Sequence, residues 1–168
     1  ILFVGGTQTE VGILTTITIG IPLISQLLFA GFLSTKSKKK PFLLTGIYLR
    51  VFAYLGVGVT LFYLGNVSSD YVILAVFIWM FLFSISGAFA GISYTDILGK
   101  SIFGDTRKRF FIVKQFLHST GLLIAALIAR EFLKEIEYPA NYQIMFLSAG
   151  TLLFIASIGF TEIKEKPS

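Results

Sequence analysis

Long apolar runs separated by short polar stretches dominate this chain. A helix needs about 20 residues to cross a hydrocarbon core of about 30 Å, and five runs reach that length, over residues 11–33, 42–64, 71–93, 110–133 and 143–160. None of them alternates apolar with polar positions, as strands of a membrane β-barrel do. The pattern therefore predicts an all-α, polytopic bundle of transmembrane helices, forming a single transmembrane domain over residues 1–168.

Basic residues divide the connections between these runs into two kinds. Lys and Arg cluster in residues 34–41 and 99–109, whereas residues 65–70 have none and residues 134–141 have one beside two glutamates. Because cytoplasmic loops of membrane proteins are enriched in Lys and Arg, we expect loops 34–41 and 99–109 and the C-terminus to be cytoplasmic. The expected location is a bacterial-type inner (plasma) membrane.

The first four residues, ILFV, are apolar but too few to cross a membrane. Five spans ending in the cytoplasm would begin outside, and one additional span would bring both ends to the same side. We therefore expect residues 1–4 to be the tail of a truncated span, and the chain to be a fragment of a larger protein.

Composition narrows the partners and the chemistry. Hydrophobic residues make up 55% and charged residues 14%, against roughly 25% charged in soluble domains, so the lipid bilayer is the expected surrounding. The net charge of +5 resides in loops, not along a phosphate-binding stripe, which argues against nucleic acid. With one histidine, no cysteine and no nucleotide or zinc motif, we expect no metal, no cofactor and no enzyme activity.

Polar side chains inside the apolar runs are the candidates for a substrate pathway. The first run carries a helical stripe of hydroxyl and amide groups, and the fourth carries a histidine whose unperturbed pKa of about 6.5 suits proton coupling. Both sets can equally serve helix packing. The candidates are Thr15, Thr18, Ser25, Gln26 and His118.

Charged side chains near the basic loops are the candidates for a cytoplasmic gate. Arg50 lies about eight residues inside its run, where a charge costs at least about 2.5–3.5 kcal/mol. It either faces an aqueous pathway and an anionic group, or snorkels to the interface or holds a structural ion pair. Asp96 is expected to end its run and to accept from Arg50, Lys100 or Lys114, unless it is a solvated helix end. The full set is Arg50, Asp96, Lys100, Lys114, Arg107 and Arg109.

Two glycines, Gly87 and Gly91, form a GxxxG pattern in the third run. This spacing lets membrane helices approach closely, and we expect it to serve packing within the bundle. Trp79, in the same run, is expected in the core.

The two basic loops resemble those of the major facilitator superfamily of secondary transporters. The family pattern G-x-L-A-D-R-x-G-R-R is matched at Gly31, Leu33, Lys36, Lys39 and Lys40, with Thr35 in place of the aspartate and Lys38 in place of the second glycine. The family pattern I-P-x-x-x-R-G-R-x-x-G is matched at Ile102, Arg107 and Arg109, with Phe103 in place of the proline.

This resemblance implies the N-terminal six-helix half of a twelve-helix transporter, built from two inverted three-helix repeats. Such a protein would move an unknown small solute by alternating access, with proton or cation coupling among the options. Its partner would be the C-terminal half of the same chain. A non-transporting membrane subunit or sensor is the alternative, and a membrane-embedded lipid-modifying enzyme ranks last.

Overall fold

A computed structural model describes residues 1–64, 66–163 and 165. The described chain has a 3-10 turn at Leu2–Val4 followed by five α-helices. These are α1 (Gln8–Ser34), α2 (Lys40–Phe62), α3 (Ser69–Ser101), α4 (Gly104–Glu135) and α5 (Ala140–Thr161). Each of the five is long and apolar enough to cross a membrane, which confirms the prediction of an all-helical protein with five spans.

Helix α1 begins at a capping box. The backbone N–H of Thr7 donates to Oε2 of Glu10 at 2.6 Å, and the backbone N–H of Glu10 donates to the Thr7 hydroxyl at 3.3 Å. The box satisfies donors that have no partner within the helix. It fixes the start of α1 only a few residues after the 3-10 turn at Leu2–Val4, and the expectation that residues 1–4 end a truncated span stays a prediction.

The connection predicted at residues 99–109 is much shorter than expected. Helix α3 continues to Ser101 and α4 starts at Gly104, so only Ile102 and Phe103 remain between them. Gly104, with φ of 60°, provides the left-handed backbone for the reversal, which a residue with a Cβ adopts less readily. The loop prediction was wrong here because charged residues end an apolar run without ending a helix, and Arg107 and Arg109 lie in the first turns of α4.

Helix α2 is the centre of the bundle. It packs against α3 on one side and α5 on another, and α1 packs against α3. Glycines make the contacts of α2 close: a Cβ on Gly46 would lie 2.7 Å from the backbone nitrogen of Ala90, and one on Gly58 would lie 2.7 Å from Cγ of Leu147. Helix α4, by contrast, contacts α5 and has no buried residue.

The GxxxG pattern of α3 contributes to packing within the bundle at only one of its two glycines. A Cβ on Gly87 would lie 2.7 Å from Nη2 of Arg50, whereas a Cβ on Gly91 would meet no atom within 4 Å. Gly87 therefore makes room for a side chain, and the close backbone approach of α2 and α3 occurs at Gly46. Trp79 packs its indole ring on Gly56 of α2 and donates Nε1–H to the Thr60 hydroxyl at 3.1 Å.

Two parts of the sequence interpretation lie outside the described residues. Lys164 and Lys166 are the basic residues that favour a cytoplasmic C-terminus. Gly65 is the first residue of the connection after the second run.

We predict that Gly46→Ala destabilises the bundle. The added methyl group would lie 2.7 Å from the Ala90 nitrogen and 2.9 Å from the Ser86 carbonyl oxygen, so α2 and α3 would have to separate, at a cost of about 1–3 kcal/mol. Unfolding by SDS titration, followed by far-UV circular dichroism, measures the loss. Gly91→Ala is the matched control and should be neutral, because its new methyl group meets open space. Equal stability of the two variants would contradict the prediction.

Candidate functional site

One carboxylate joins two helices at the end of the bundle where the basic residues lie. Asp96 of α3 contacts Nζ of Lys39 at 3.0 Å and Nζ of Lys100 at 2.5 Å. Lys39 immediately precedes α2, and its side chain is only 9% exposed. Because α3 continues past Asp96, Asp96 and Lys100 form an i,i+4 pair on one helix face. The carboxylate thus ties the start of α2 to the last turns of α3.

A second carboxylate binds the same end of α2. Glu165 accepts the backbone N–H groups of Lys39 at 2.6 Å and of Lys40 at 2.8 Å, and Lys40 donates from Nζ to the Thr161 carbonyl at 2.5 Å. The N-terminal N–H groups of a helix have no intrahelical acceptor and carry partial positive charge, so Glu165 caps α2. We call the contacts of Lys39, Lys40, Asp96, Lys100 and Glu165 the basic-end cluster.

The structure brings only some of the predicted gate residues into this cluster. Asp96 and Lys100 meet as expected, whereas Nζ of Lys114 lies over the Tyr94 ring at 4.5 Å and Arg107 lies over the Phe111 ring at 5.9 Å. Arg109 is exposed on α4. The sequence did not predict that Asp96 pairs with Lys39, or that Glu165 binds the same helix start. A lone glutamate in a charged tail carries no spacing signal that points to a helix start 126 residues away.

The family-like loop is divided in the same way. Lys39 and Lys40 belong to the basic-end cluster, whereas Lys36 lies over the Phe32 ring at 4.7 Å. Gly31 is exposed near the end of α1, and a Cβ there would meet nothing within 4 Å.

Arg50 lies far from this cluster, in the middle of α2. Its guanidinium carbon is 5.0 Å from the centre of the Phe83 ring, and Nη2 lies against Gly87. Along α3, these two contacts fall between Ala90, which faces Gly46, and Trp79, which faces Gly56. The side chain therefore stays level with its own backbone and does not snorkel. No ion pair or hydrogen bond joins its guanidinium to another residue of the described chain.

Arg50 lies between α2 and α3, beside the contact of α2 with α5, and we refer to this space between the three helices as a groove. Toward the basic end the groove is packed shut by Leu43, Ile47 and Ile97 and by the Tyr94 and Phe160 rings, 6.2 Å apart. Tyr54 adjoins Arg50 and contacts Phe83 at 4.9 Å and Phe146 at 6.0 Å between ring centres. We call this groove, with Arg50, Tyr54, Phe83, Gly87 and Phe146, the arginine groove.

An apolar cavity of about 240 Å³ lies beyond Phe146 of the arginine groove, and Arg50 itself is not among its lining residues. Phe146 belongs to both, so the cavity and the aromatic residues around Arg50 adjoin. The cavity is lined by Ile1, Val4, Leu14, Val57, Leu61, Val72, Ile73, Val76, Met80, Tyr138, Tyr142 and Phe146. Burial and the neighbouring Tyr142 raise the pKa of the Tyr138 hydroxyl above its usual value.

The polar stripe of α1 does not form one surface. Thr15 and Thr18 donate their hydroxyls to carbonyls one turn back, at 2.9 and 3.0 Å. Ser25 is buried, whereas Gln26 is exposed and lines a cavity of about 500 Å³ with Asp96 of the basic-end cluster. Of the predicted pathway residues in α1, Gln26 is therefore the one that the structure places beside charged chemistry.

His118 lies on the uncovered helix. Along α4, Lys114, His118, Gly121 and Ala125 follow at i, i+4, i+7 and i+11, which is one helical face. All four are exposed, and Lys114 turns this face toward Tyr94 of α3. The opposite face carries large apolar side chains, among them Phe116, Leu123 and Leu127. We call the first of these faces the polar face of α4.

Among the residues that the structure describes, no three His, Asp or Glu side chains lie close enough together to hold a metal ion.

We predict that Asp96→Asn lowers the free energy of unfolding by about 2 kcal/mol, because the buried ammonium of Lys39 loses its counter-charge. The double variant Lys39→Met/Asp96→Asn should recover most of this loss, since it removes the unpaired charge as well. The SDS titration described above measures all variants. Glu131→Gln, at an exposed position of α4, is the control and should change stability by less than about 0.5 kcal/mol. Strictly additive losses in the double variant would show that the two side chains are not coupled.

No protein-family model matches this chain, and neither the curated proteins nor the solved structures include a significant match. A proposal about its function therefore rests on its own residues.

Proposed function

We propose that this chain belongs to a secondary active transporter that moves a small solute by alternating access. The observation that supports the proposal most is the uncovered polar face of α4. Lys114 and His118 lie there on a helix long enough to span a membrane, and no residue of that helix is buried. Transport requires polar groups along a path through the bilayer, and this face supplies them.

Lipid is a poor cover for such a face. A charged side chain at the centre of a bilayer costs at least about 2.5–3.5 kcal/mol, and ionisable residues in spans normally face a bundle interior or a water-filled cavity. The other face of α4 carries Phe116, Leu123 and Leu127 along its middle turns, and these apolar side chains suit lipid. The proposed arrangement therefore has the polar face bordering an aqueous pathway, completed by a further half of the same protein, with His118 available for proton or cation coupling.

The basic-end cluster fits the second requirement of alternating access, which is a closure that can form and break. The Asp96 side chain is 28% exposed and that of Lys100 25%, so water reaches both side chains, whereas the two atoms that meet, Oδ2 and Nζ, are buried and become exposed only when the contact opens. In this proposal the basic end is cytoplasmic, following the excess of Lys and Arg on that side of membrane proteins, and the protein resides in an inner (plasma) membrane.

A second candidate function rests on the small residues of the same face. Gly121 and Ala125 would allow a partner helix to pack closely on α4. The chain would then be a non-transporting subunit or sensor whose polar residues only bind that partner.

Cysteine accessibility separates the two candidates, and the chain has no native cysteine to interfere. In membrane vesicles, His118→Cys should react with a charged methanethiosulfonate reagent, because the proposed pathway contains water. Phe116→Cys lies at nearly the same depth on the opposite, apolar face of α4. It is the matched control and should stay unlabelled. An unreactive His118→Cys would favour the packed subunit over the transporter.

Uptake and sidedness test the remainder of the proposal. Vesicles containing the protein should accumulate at least one solute from a radiolabelled set of amino acids, sugars and organic acids above empty vesicles, and Asp96→Asn should alter that rate. Cysteines at Ser37 and Ser68 should be labelled from opposite sides of the membrane. Labelling of both from one side would overturn the proposed topology.

A further inference from the structure

We infer that Arg50 binds the anionic group of a small organic carboxylate whose apolar part lies in the adjoining cavity. This inference rests on the proposed function and names the substrate class of that transporter. It starts from the position of the Arg50 guanidinium, which is level with the middle of α2, about 15 Å from Lys40 at 1.5 Å per residue.

The described helices contain no acidic residue that could neutralise Arg50 at this depth. The nine Asp and Glu residues of the chain lie near helix ends or in connections. The nearest along α3, Asp96, is nine residues past Gly87, or about 13 Å at 1.5 Å per residue, and it already contacts two lysines. The set of acids is Glu10, Asp70, Asp96, Asp105, Glu131, Glu135, Glu137, Glu162 and Glu165.

The guanidinium is held in place even though it has no counter-charge. Phe83 covers it at 5.0 Å, and the missing side chain of Gly87 leaves the space that Nη2 fills. Nε is buried and has no hydrogen-bond partner. A guanidinium offers five N–H donors in a planar fork that matches the two oxygens of a carboxylate. Arg50 is thus an oriented donor that lacks an acceptor.

The neighbouring cavity indicates what the anion is attached to. Phe146 contacts Tyr54 of the arginine groove and also lines the cavity, where Val57, Leu61 and Met80 offer only apolar surface. A volume of about 240 Å³ accommodates a single aromatic ring or a short alkyl chain. A sugar or a free amino acid would leave its polar groups unpaired there, which is costly. The site therefore suits a monocarboxylate with a compact apolar body.

The single tryptophan of the chain reports on this site. Trp79 is adjacent in sequence to Met80 of the cavity wall and packs on α2. Its fluorescence should change saturably when the protein in lipid nanodiscs is titrated with benzoate. Benzamide and benzylammonium keep the ring and remove or reverse the charge, and they should bind at least about tenfold more weakly, because a charge-assisted bidentate contact is lost.

Variants of Arg50 assign this discrimination to one residue. Arg50→Gln should weaken benzoate binding about tenfold or more and leave benzamide binding nearly unchanged, and Arg50→Lys, which keeps a charge without the planar fork, should fall between. Lys108→Gln, at an exposed position near the start of α4, is the control for general loss of positive charge and should bind benzoate like the unaltered protein. Gel filtration shows whether each variant remains folded.

Three outcomes would overturn the inference. The unaltered protein does not bind benzoate, it binds benzamide as tightly as benzoate, or the Arg50→Gln variant retains the benzoate affinity of the unaltered protein. The comparison of benzoate with benzamide needs no variant, so it decides the question even where Arg50→Gln does not fold. The titration measures equilibrium binding of benzoate alone. If benzoate does not bind, the protein can still transport another solute, so the proposed function is not refuted. Conversely, benzoate binding without any solute uptake would refute the transporter and retain the site.

Discussion

The close approach of α2 to α3 at Gly46 is the contact on which the described bundle depends. In a bilayer there is no hydrophobic gain from bringing two apolar helices together, so dispersion contacts between closely fitted surfaces must hold them. A missing side chain at Gly46 brings α2 onto the backbone of α3, and Gly58 does the same toward α5. With α2 fixed between two neighbours, its remaining face becomes the floor of a groove, and the side chain of Arg50 is positioned without an ion pair.

The two uncompensated features of the structure are related. The arginine groove carries a positive charge without an acceptor, and α4 carries a polar face without a cover. Lys114 points from α4 toward Tyr94, whose ring meets Phe160 at the closed end of the groove. The polar face of α4 and the groove thus start from the same closed end. In the proposed transport cycle the ion-paired end is the closed end, and the apolar cavity beyond Phe146 lies on the other side of Arg50.

The sequence predicted the helices well because a membrane span is encoded in consecutive apolar residues, whose length alone is informative. It predicted helix ends poorly where charges continue a helix beyond the apolar run, as at Lys100 and Arg107. Pairings were harder still. The i,i+4 spacing of Asp96 and Lys100 is readable, whereas Lys39 and Glu165 reach their partners through folding, and no local pattern encodes that. For Arg50 the depth was predictable, but the absence of a nearby acid became clear only when the neighbouring helices were placed around it.

Glu165 has a consequence for the order in which the protein assembles. The first N–H groups of α2 are synthesised early, but their acceptor follows α5, separated by 126 residues in sequence from Lys39. Until that glutamate emerges from the ribosome, the start of α2 has only water or lipid headgroups to satisfy it. The basic-end cluster can therefore be completed only after α5 has been synthesised, and its contact at Lys39 distinguishes a bundle in which α5 has packed from one in which it has not.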